Sequence, residues 1–258
     1  GAAVREKFKR FWDTANPDLL RLVIIFVLVG LLLAGFLLFG HSNGGGSVLP
    51  AWVQGKHVEP PDERLAAAQK ENPDTVAWIT IPGTNIDSPV QQYGDNDYYL
   101  RRDEKGVKDY HGCIYADYAC RMDSGVKVSR NLILYGHTFT DEDYEGGFED
   151  LHKYRVFEFG QENPYIYVSL QDEKLMYQIF SVWVCDANAD TDCIQADPDD
   201  VAFQQILDKA VAGCAFGYGV DVTTDDHILT LSTCTADPNS RLLIVAKLID
   251  GGGADVKS

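Results

Sequence analysis

Basic residues are scarce in this chain. Twenty-two Lys and Arg stand against 39 Asp and Glu, a formal net charge of −17 at pH 7. A surface this acidic repels nucleic acid and anionic lipid headgroups, which excludes a nucleic-acid-binding role. The cysteines show no C-x-x-C pair, so the usual frame of a structural zinc site is missing and no metal is expected. His111-Gly-Cys113 is a partial echo of such a site, or of a Ser-His-Gly-Cys transferase pattern, and nothing more. Two acidic segments, Asp141-Glu-Asp-Tyr-Glu145 and Asp190-Thr-Asp192, offer oxygen ligands for calcium, but neither has EF-hand spacing and solvated turns are the simpler reading. No cofactor is expected. Internal repeats are lacking, and so are low-complexity tracts beyond the glycines at 44–46.

Charge is missing altogether from residues 22–40, where Leu, Val, Ile, Phe and Gly dominate. As a helix this run is about 28 Å long, close to the hydrocarbon thickness of a bilayer. It has no polar face, as a core helix would, and it is long for the apolar region of a cleaved signal peptide. A transmembrane helix is expected there. Five basic and three acidic residues precede it, a net +2, whereas no basic residue follows until Lys56. Basic flanks stay inside, so residues 1–21 form a cytoplasmic segment and everything after 40 is extracellular. The exported part then carries about −19, which keeps it soluble.

Residues 41–61 read as a linker, glycine-rich and then stiffened by Pro60-Pro61. A helix over 62–70 follows, ended by Asn72-Pro73. From 75 onward the texture is β. Strands are predicted over 76–81, 88–92, 131–135, 165–170, 175–184, 227–233 and 241–248, with Pro82-Gly83-Thr-Asn85 as a turn. Short strands with few helices indicate a single mostly β domain over 62–250, a barrel or sandwich, with 251–258 as a tail. One helix interrupts the strands. Asp197 is its expected cap, Pro198 its first residue, and Val201, Ile206, Ala210 and Val211 its apolar stripe.

Two apolar strands end in reactive side chains: Asn131-Leu-Ile-Leu-Tyr-Gly-His137 and His227-Ile-Leu-Thr-Leu-Ser-Thr-Cys234. A cysteine attacks an acyl group as the thiolate, with an imidazole as its usual partner. Histidine titrates in the range needed to protonate a leaving amine. A turn through Asp237-Pro238-Asn239 brings Arg241 back beside Cys234, where a guanidinium can hold an oxyanion or a carbonyl. Each residue alone has a plainer reading, as core thiol, structural histidine or surface charge; their conjunction is the signal. His41, His57, His111, His152 and His227 lack a comparable strand-end setting. Gly136 suggests a tight bend or a close backbone approach. With ordinary pKa values of about 8.5 and 6.5 the neutral Cys–His pair dominates at neutral pH. Cys113 with Cys120, and Cys185 with Cys193, are near enough in sequence to pair, while Cys185 and Cys214 also read as small core residues.

The segment Thr230-Leu-Ser-Thr-Cys234 resembles the Thr-Leu-x-Thr-Cys signature of sortases, with Arg241 at the family's interval. Leu134-Tyr-Gly-His137-Thr-Phe resembles the sortase histidine segment. The run from Asn72 through Val76-Ala-Trp-Ile-Thr-Ile-Pro-Gly-Thr-Asn-Ile-Asp-Ser-Pro-Val90, Asp97-Tyr-Tyr-Leu100 and the helix before the cysteine strand resemble class B. The likeness spans about 62–249, in the family's order.

This resemblance implies a closed eight-stranded β-barrel with an N-terminal helix and an inserted helix, and a groove leading to Cys234. It implies a membrane-anchored cysteine transpeptidase. Cys234 would cleave a C-terminal sorting signal, of Asn-Pro-x-Thr type, after Thr and hold it as a thioester. An amine of the cell-wall precursor would then resolve it. His137 would act as acid and then base, and Arg241 would hold the substrate carbonyl. Ser232, Thr233 and Thr230 are expected to contact substrate, and residues 186–222 to form one groove wall. Thr235 stands where many relatives carry an acidic residue, so no role attaches to it. Competing readings are a pilin polymerase that uses a lysine acceptor, a secreted cysteine hydrolase and a non-catalytic binding barrel. Expected partners are surface proteins bearing sorting signals, the wall precursor or pilin amine, and the membrane.

Overall fold

The computed structural model describes residues 62–122, 128–139 and 147–250. The expected membrane helix at 22–40, the linker, the tail and the acidic run at 141–145 lie outside the described residues. Among the described residues no helix is long and apolar enough to cross a membrane.

Helix α1 (Glu63–Glu71) opens the described domain. The Asp62 carboxylate caps it by accepting the Arg64 N–H at 3.1 Å, and the Arg64 guanidinium pairs with both oxygens of Asp87 at 2.7 and 2.8 Å. Eight strands follow: β1 (Thr75–Thr80), β2 (Asp87–Gln91), β3 (Tyr115–Ala116), β4 (Asn131–Tyr135), β5 (Tyr165–Ser169), β6 (Lys174–Asp186), β7 (Ile228–Cys234) and β8 (Ser240–Asp250). They close into a barrel in the order β1-β2-β3-β4-β7-β8-β6-β5. Seven agree with the sequence-predicted strands to within two residues at most ends. The eighth, β3, spans two residues and shows no alternation, so only its pairing with β2 and β4 defines it.

Alternation sorts β7 and β8 between two cores. Leu229 and Leu231 of β7, with Leu242, Ile244 and Ala246 of β8, point into the barrel with Leu132 and Leu134 of β4. The alternate residues Ile228, Leu243 and Val245 lie on the outer face, under helix α3 (Asp200–Gly213). That helix buries Phe203, Ile206, Leu207 and Ala210, while Val201 and Val211 are mostly exposed. The expected stripe was therefore half misplaced. The buried set follows the i, i+3, i+4, i+7 spacing of one helical face, and Val201 and Val211 are rotated off that face. The cap is also different. Asp199, not Asp197, caps α3 by accepting from Ala202 N–H at 2.8 Å. The Asp197 carboxylate instead accepts from the backbone N–H of Arg130 and the Ser129 hydroxyl, which tethers the loop before α3 to the start of β4.

A 3₁₀ segment, Glu149–Arg155, and helix α2 (Phe157–Glu162) lie between β4 and β5. Neither was legible as an element. Phe148, Leu151 and Tyr154 belong to the barrel core and are fully buried.

Candidate active site

β4 and β7 run side by side and parallel, with Tyr135 opposite Ser232. The ladder continues one step further, since Gly136 N–H donates to the Ser232 carbonyl at 3.3 Å. The two strand ends are therefore level, and the next residues out are His137 on one and Thr233-Cys234 on the other. On the other side of β7, Cys234 is the register partner of Arg241 in β8, and Arg241 is in turn the partner of Cys185 in β6. Pleating puts Cys185, Arg241, Cys234 and Ser232 on the outer face of the barrel, opposite to Leu231, Leu242 and Val182. Sequence residues 137, 234 and 241 thus converge at one rim.

The turn before β8 is built to hold the arginine. Asp237 accepts from Asn239 N–H at 2.9 Å and from the Ser240 hydroxyl at 2.9 Å, and these donors hold its carboxyl below the usual range. The guanidinium of Arg241 donates to the Pro238 carbonyl at 3.0 Å and the Ser240 carbonyl at 2.9 Å. A side chain fixed this way loses less freedom when it binds a further acceptor.

His137 is half-buried, and burial is the main cause that pushes its pKa below the ordinary histidine value. The Leu100 carbonyl, 3.0 Å from Nε2, pulls the other way, while the cations of Arg101 and Arg241 add to the lowering. Nε2 is also 3.2 Å from Arg101 Nη1. The two contacts belong to different tautomers: Nε2–H donates to Leu100, whereas a bare Nε2 accepts from Arg101. The lowered pKa favours the neutral imidazole at neutral pH. Arg101 is tied down by the Tyr110 carbonyl at 2.8 Å and stacks on the Tyr110 ring.

The histidine segment is clamped by glycine. A Cβ on Gly136 would meet the Phe148 ring at 2.7 Å, and one on Gly147, at φ +66°, would meet the His137 carbonyl at 2.5 Å. Close approach of backbone and ring, anticipated at Gly136, is what the site requires.

A groove of about 480 Å³ runs along the outer face to Arg241. Ser232, Cys185 and Arg241 contribute to it from the barrel strands, and Asn96, Asp117, Tyr118 and Tyr135 line it on one side. The loop that includes Ala187, Asp190, Thr191, Ile194 and Gln195 lines it on the other. Helix α3 itself contributes no lining residue, so the expected wall of 186–222 narrows to its first part. Tyr135 donates its hydroxyl to Asp117 at 2.8 Å, and Asn96 donates to the same carboxylate oxygen at 2.8 Å. Of the three expected substrate contacts, Ser232 lines the groove. Thr230 is buried and donates to the Asn131 side chain at 2.8 Å, and Thr233 is buried and donates to the Gly136 carbonyl at 2.8 Å. Their hydroxyls are committed to protein, which removes them from the groove. Sequence reasoning missed Asn96, Asp117 and Tyr135, which come from three separate segments without any local motif.

The cysteines do not pair: all six are free. Burial raises the pKa of Cys113, Cys120, Cys185 and Cys193, to about 12 for Cys120 and Cys193. Asp190 and Asp192, one of the calcium candidates, both bind the Lys209 ammonium, at 3.1 and 2.7 Å. A cation is thus already supplied there by the chain. His111 pairs with Asp109 at 3.0 Å and Cys113 packs with Tyr99 and Tyr115, so the two are engaged separately.

The sequence profile of the Sortase domain family matches residues 79–249. The chain belongs to the sortase family. Two relatives named Sortase B carry the likeness further. That of Listeria monocytogenes is 32% identical over 72% of this chain and 74% of its own length. That of Staphylococcus aureus is 31% identical over 75% and 77%. Among solved structures, the Staphylococcus aureus sortase B-substrate complex superposes with a TM-score of 0.66 at 29% identity, covering 77% of this chain and 90% of that one. A Bacillus anthracis protein described as similar to sortase B gives a TM-score of 0.63 at 34% identity, covering 72% and 82%. The chain is thus a class B sortase, and sortases are cysteine transpeptidases.

Proposed function

We propose that this sortase cleaves a C-terminal sorting signal of Asn-Pro-x-Thr type after threonine and passes the acyl group to an amine of the cell-wall precursor. The observation that carries this reading is the row Cys185–Arg241–Cys234, whose first two members line the groove, with the His137 strand level beside it. The Cys234 thiolate attacks the threonine carbonyl, and Arg241 stabilises the oxyanion. The C–N bond breaks as the imidazolium of His137 gives its proton to the leaving amine, leaving a thioester. The acceptor amine then attacks, neutral His137 takes its proton, and the C–S bond breaks to release the thiolate. Burial and the neighbouring arginines lower the pKa of His137, which makes its imidazolium the stronger acid toward the leaving amine. The related complex with a substrate supports a sorting signal as ligand. The uncharged run at 22–40 with its basic N-terminal flank supports a single-pass anchor, N-terminus inside and catalytic domain on the extracellular face.

The test incubates the domain with Asn-Pro-x-Thr and Leu-Pro-x-Thr peptides, with and without triglycine, and reads intact mass. An acyl-enzyme that transfers to triglycine is expected with the Asn-Pro-x-Thr peptide. Cleavage unaffected by amine would indicate a hydrolase, and transfer only to a pilin lysine would indicate a pilin polymerase.

Arg241→Ala is expected to lower kcat by about 10²–10³-fold, the cost of losing one preorganised oxyanion donor. Arg241→Lys should recover little of it, because an ammonium cannot keep the Pro238 and Ser240 carbonyls and reach substrate with the same fork. Steady-state kinetics check both; an Arg241→Ala enzyme within threefold of wild type would remove Arg241 from the mechanism.

A further inference from the structure

His152 has no strand-end setting in the sequence, yet the fold brings it under both reactive strands. It lies on the 3₁₀ segment between Leu151 and Tyr154, which plug the barrel. Its Nε2 is 3.1 Å from the carbonyl oxygen of Cys234 and 3.3 Å from Thr138 Oγ1. Thr138 Oγ1 is 2.8 Å from Thr233 Oγ1, and the Thr233 hydroxyl donates to the Gly136 carbonyl at 2.8 Å.

The protons in this chain can be counted. Thr233 has one hydroxyl hydrogen and gives it to Gly136, so in the Thr138–Thr233 contact Thr138 is the donor. Thr138 has then spent its own hydrogen, so toward His152 it can only accept. The Cys234 carbonyl is an acceptor in any case. Both contacts therefore require the hydrogen on Nε2 of His152, shared between two oxygens. The tautomer follows twice, from independent partners.

We propose that His152 is a positioning residue for acyl transfer, holding the nucleophile's strand end against that of the acid/base. The four groups in the chain flank the two reactive residues: Gly136 and Thr138 on either side of His137, Thr233 and the carbonyl of Cys234 at the thiol. None of these hydrogen bonds is made to the thiol of Cys234 or to the imidazole of His137. Its effect runs through backbone placement, and misplacement on the scale of 1 Å is enough to cost about 10²-fold in a transfer step. This role rests on the assignment of Cys234 and His137 above.

The test compares His152→Leu, His152→Gln, Thr138→Val and the double variant His152→Leu/Thr138→Val, on an Asn-Pro-x-Thr peptide with triglycine. Glutamine can place an amide N–H near the position of Nε2 and is the conservative replacement. His152→Leu is expected to lower kcat about tenfold with KM within twofold, and His152→Gln to restore most of it. The double variant should be no slower than His152→Leu alone, since both break one chain. Nitrogen-15 NMR of the resting protein, which needs no substrate, should show His152 as the Nε2–H tautomer. An unchanged kcat in His152→Leu, failure of glutamine to rescue, or the Nδ1–H tautomer would each overturn the proposal. Cys234→Ala in the same assay separates the two levels: if it retains activity the nucleophile assignment falls, whereas if it is inert and His152→Leu is normal, only the positioning role falls.

Discussion

Cys234→Ala is expected to reduce peptide transfer by at least about 10³-fold and to abolish the acyl-enzyme seen by intact mass. The loss is this large because the covalent route disappears, and the remaining groups have no other nucleophile to organise. The neighbouring thiols do not take over. Cys185 lines the same groove, but burial raises its pKa, and Cys113, Cys120 and Cys193 are raised in the same way. A thiol raised above its usual range supplies less thiolate. The fold should survive, because Cys234 is half-buried at the end of β7 and alanine keeps the strand; the melting temperature should move by only a few degrees. An adduct of undiminished yield in Cys234→Ala would sink the assignment.

His137→Ala is expected to cost about 10²–10⁴-fold in kcat, the span of a lost general acid–base. The wild-type pH profile gives an independent reading. The acid limb of kcat/KM is expected to follow protonation of His137. Burial first, and then the Arg101 and Arg241 cations, lower that pKa against the opposing pull of the Leu100 carbonyl. The acid limb should therefore lie below about 6.5, the ordinary histidine value. Removing one cation raises the pKa, so Arg101→Gln should move the limb toward higher pH while leaving the basic limb in place. A limb that shifts downward, or an acid limb above the ordinary value in the wild type, would show that another group titrates there.

These expectations were accessible from the sequence to different degrees. The β7 pattern shows apolar alternation up to a thiol, and Asp237-Pro238-Asn239 can only be a turn, so the Cys234–Arg241 adjacency follows from hairpin geometry. His137 follows from its own strand. The parallel pairing of β4 with β7, by contrast, joins segments about a hundred residues apart and has no local signal. The groove side formed by Asn96, Asp117 and Tyr135 is of the same kind, as is the Asp197 tether that displaced the expected helix cap.

The sequence by itself determined seven of the eight strands, helices α1 and α3 and the family likeness, and it singled out His137, Cys234 and Arg241 as the candidate site. These depend on period-2 alternation, turn chemistry and spacing within short windows, which act before any long-range contact forms. Only the tertiary structure decided the two-residue strand β3, the six free thiols, the buried and protein-bonded hydroxyls of Thr230 and Thr233, and the place of His152 beside the Cys234 carbonyl, 82 residues away along the chain. Each of those depends on which distant surface closes over a side chain. The closing of the barrel fixes that choice, and no local pattern encodes it.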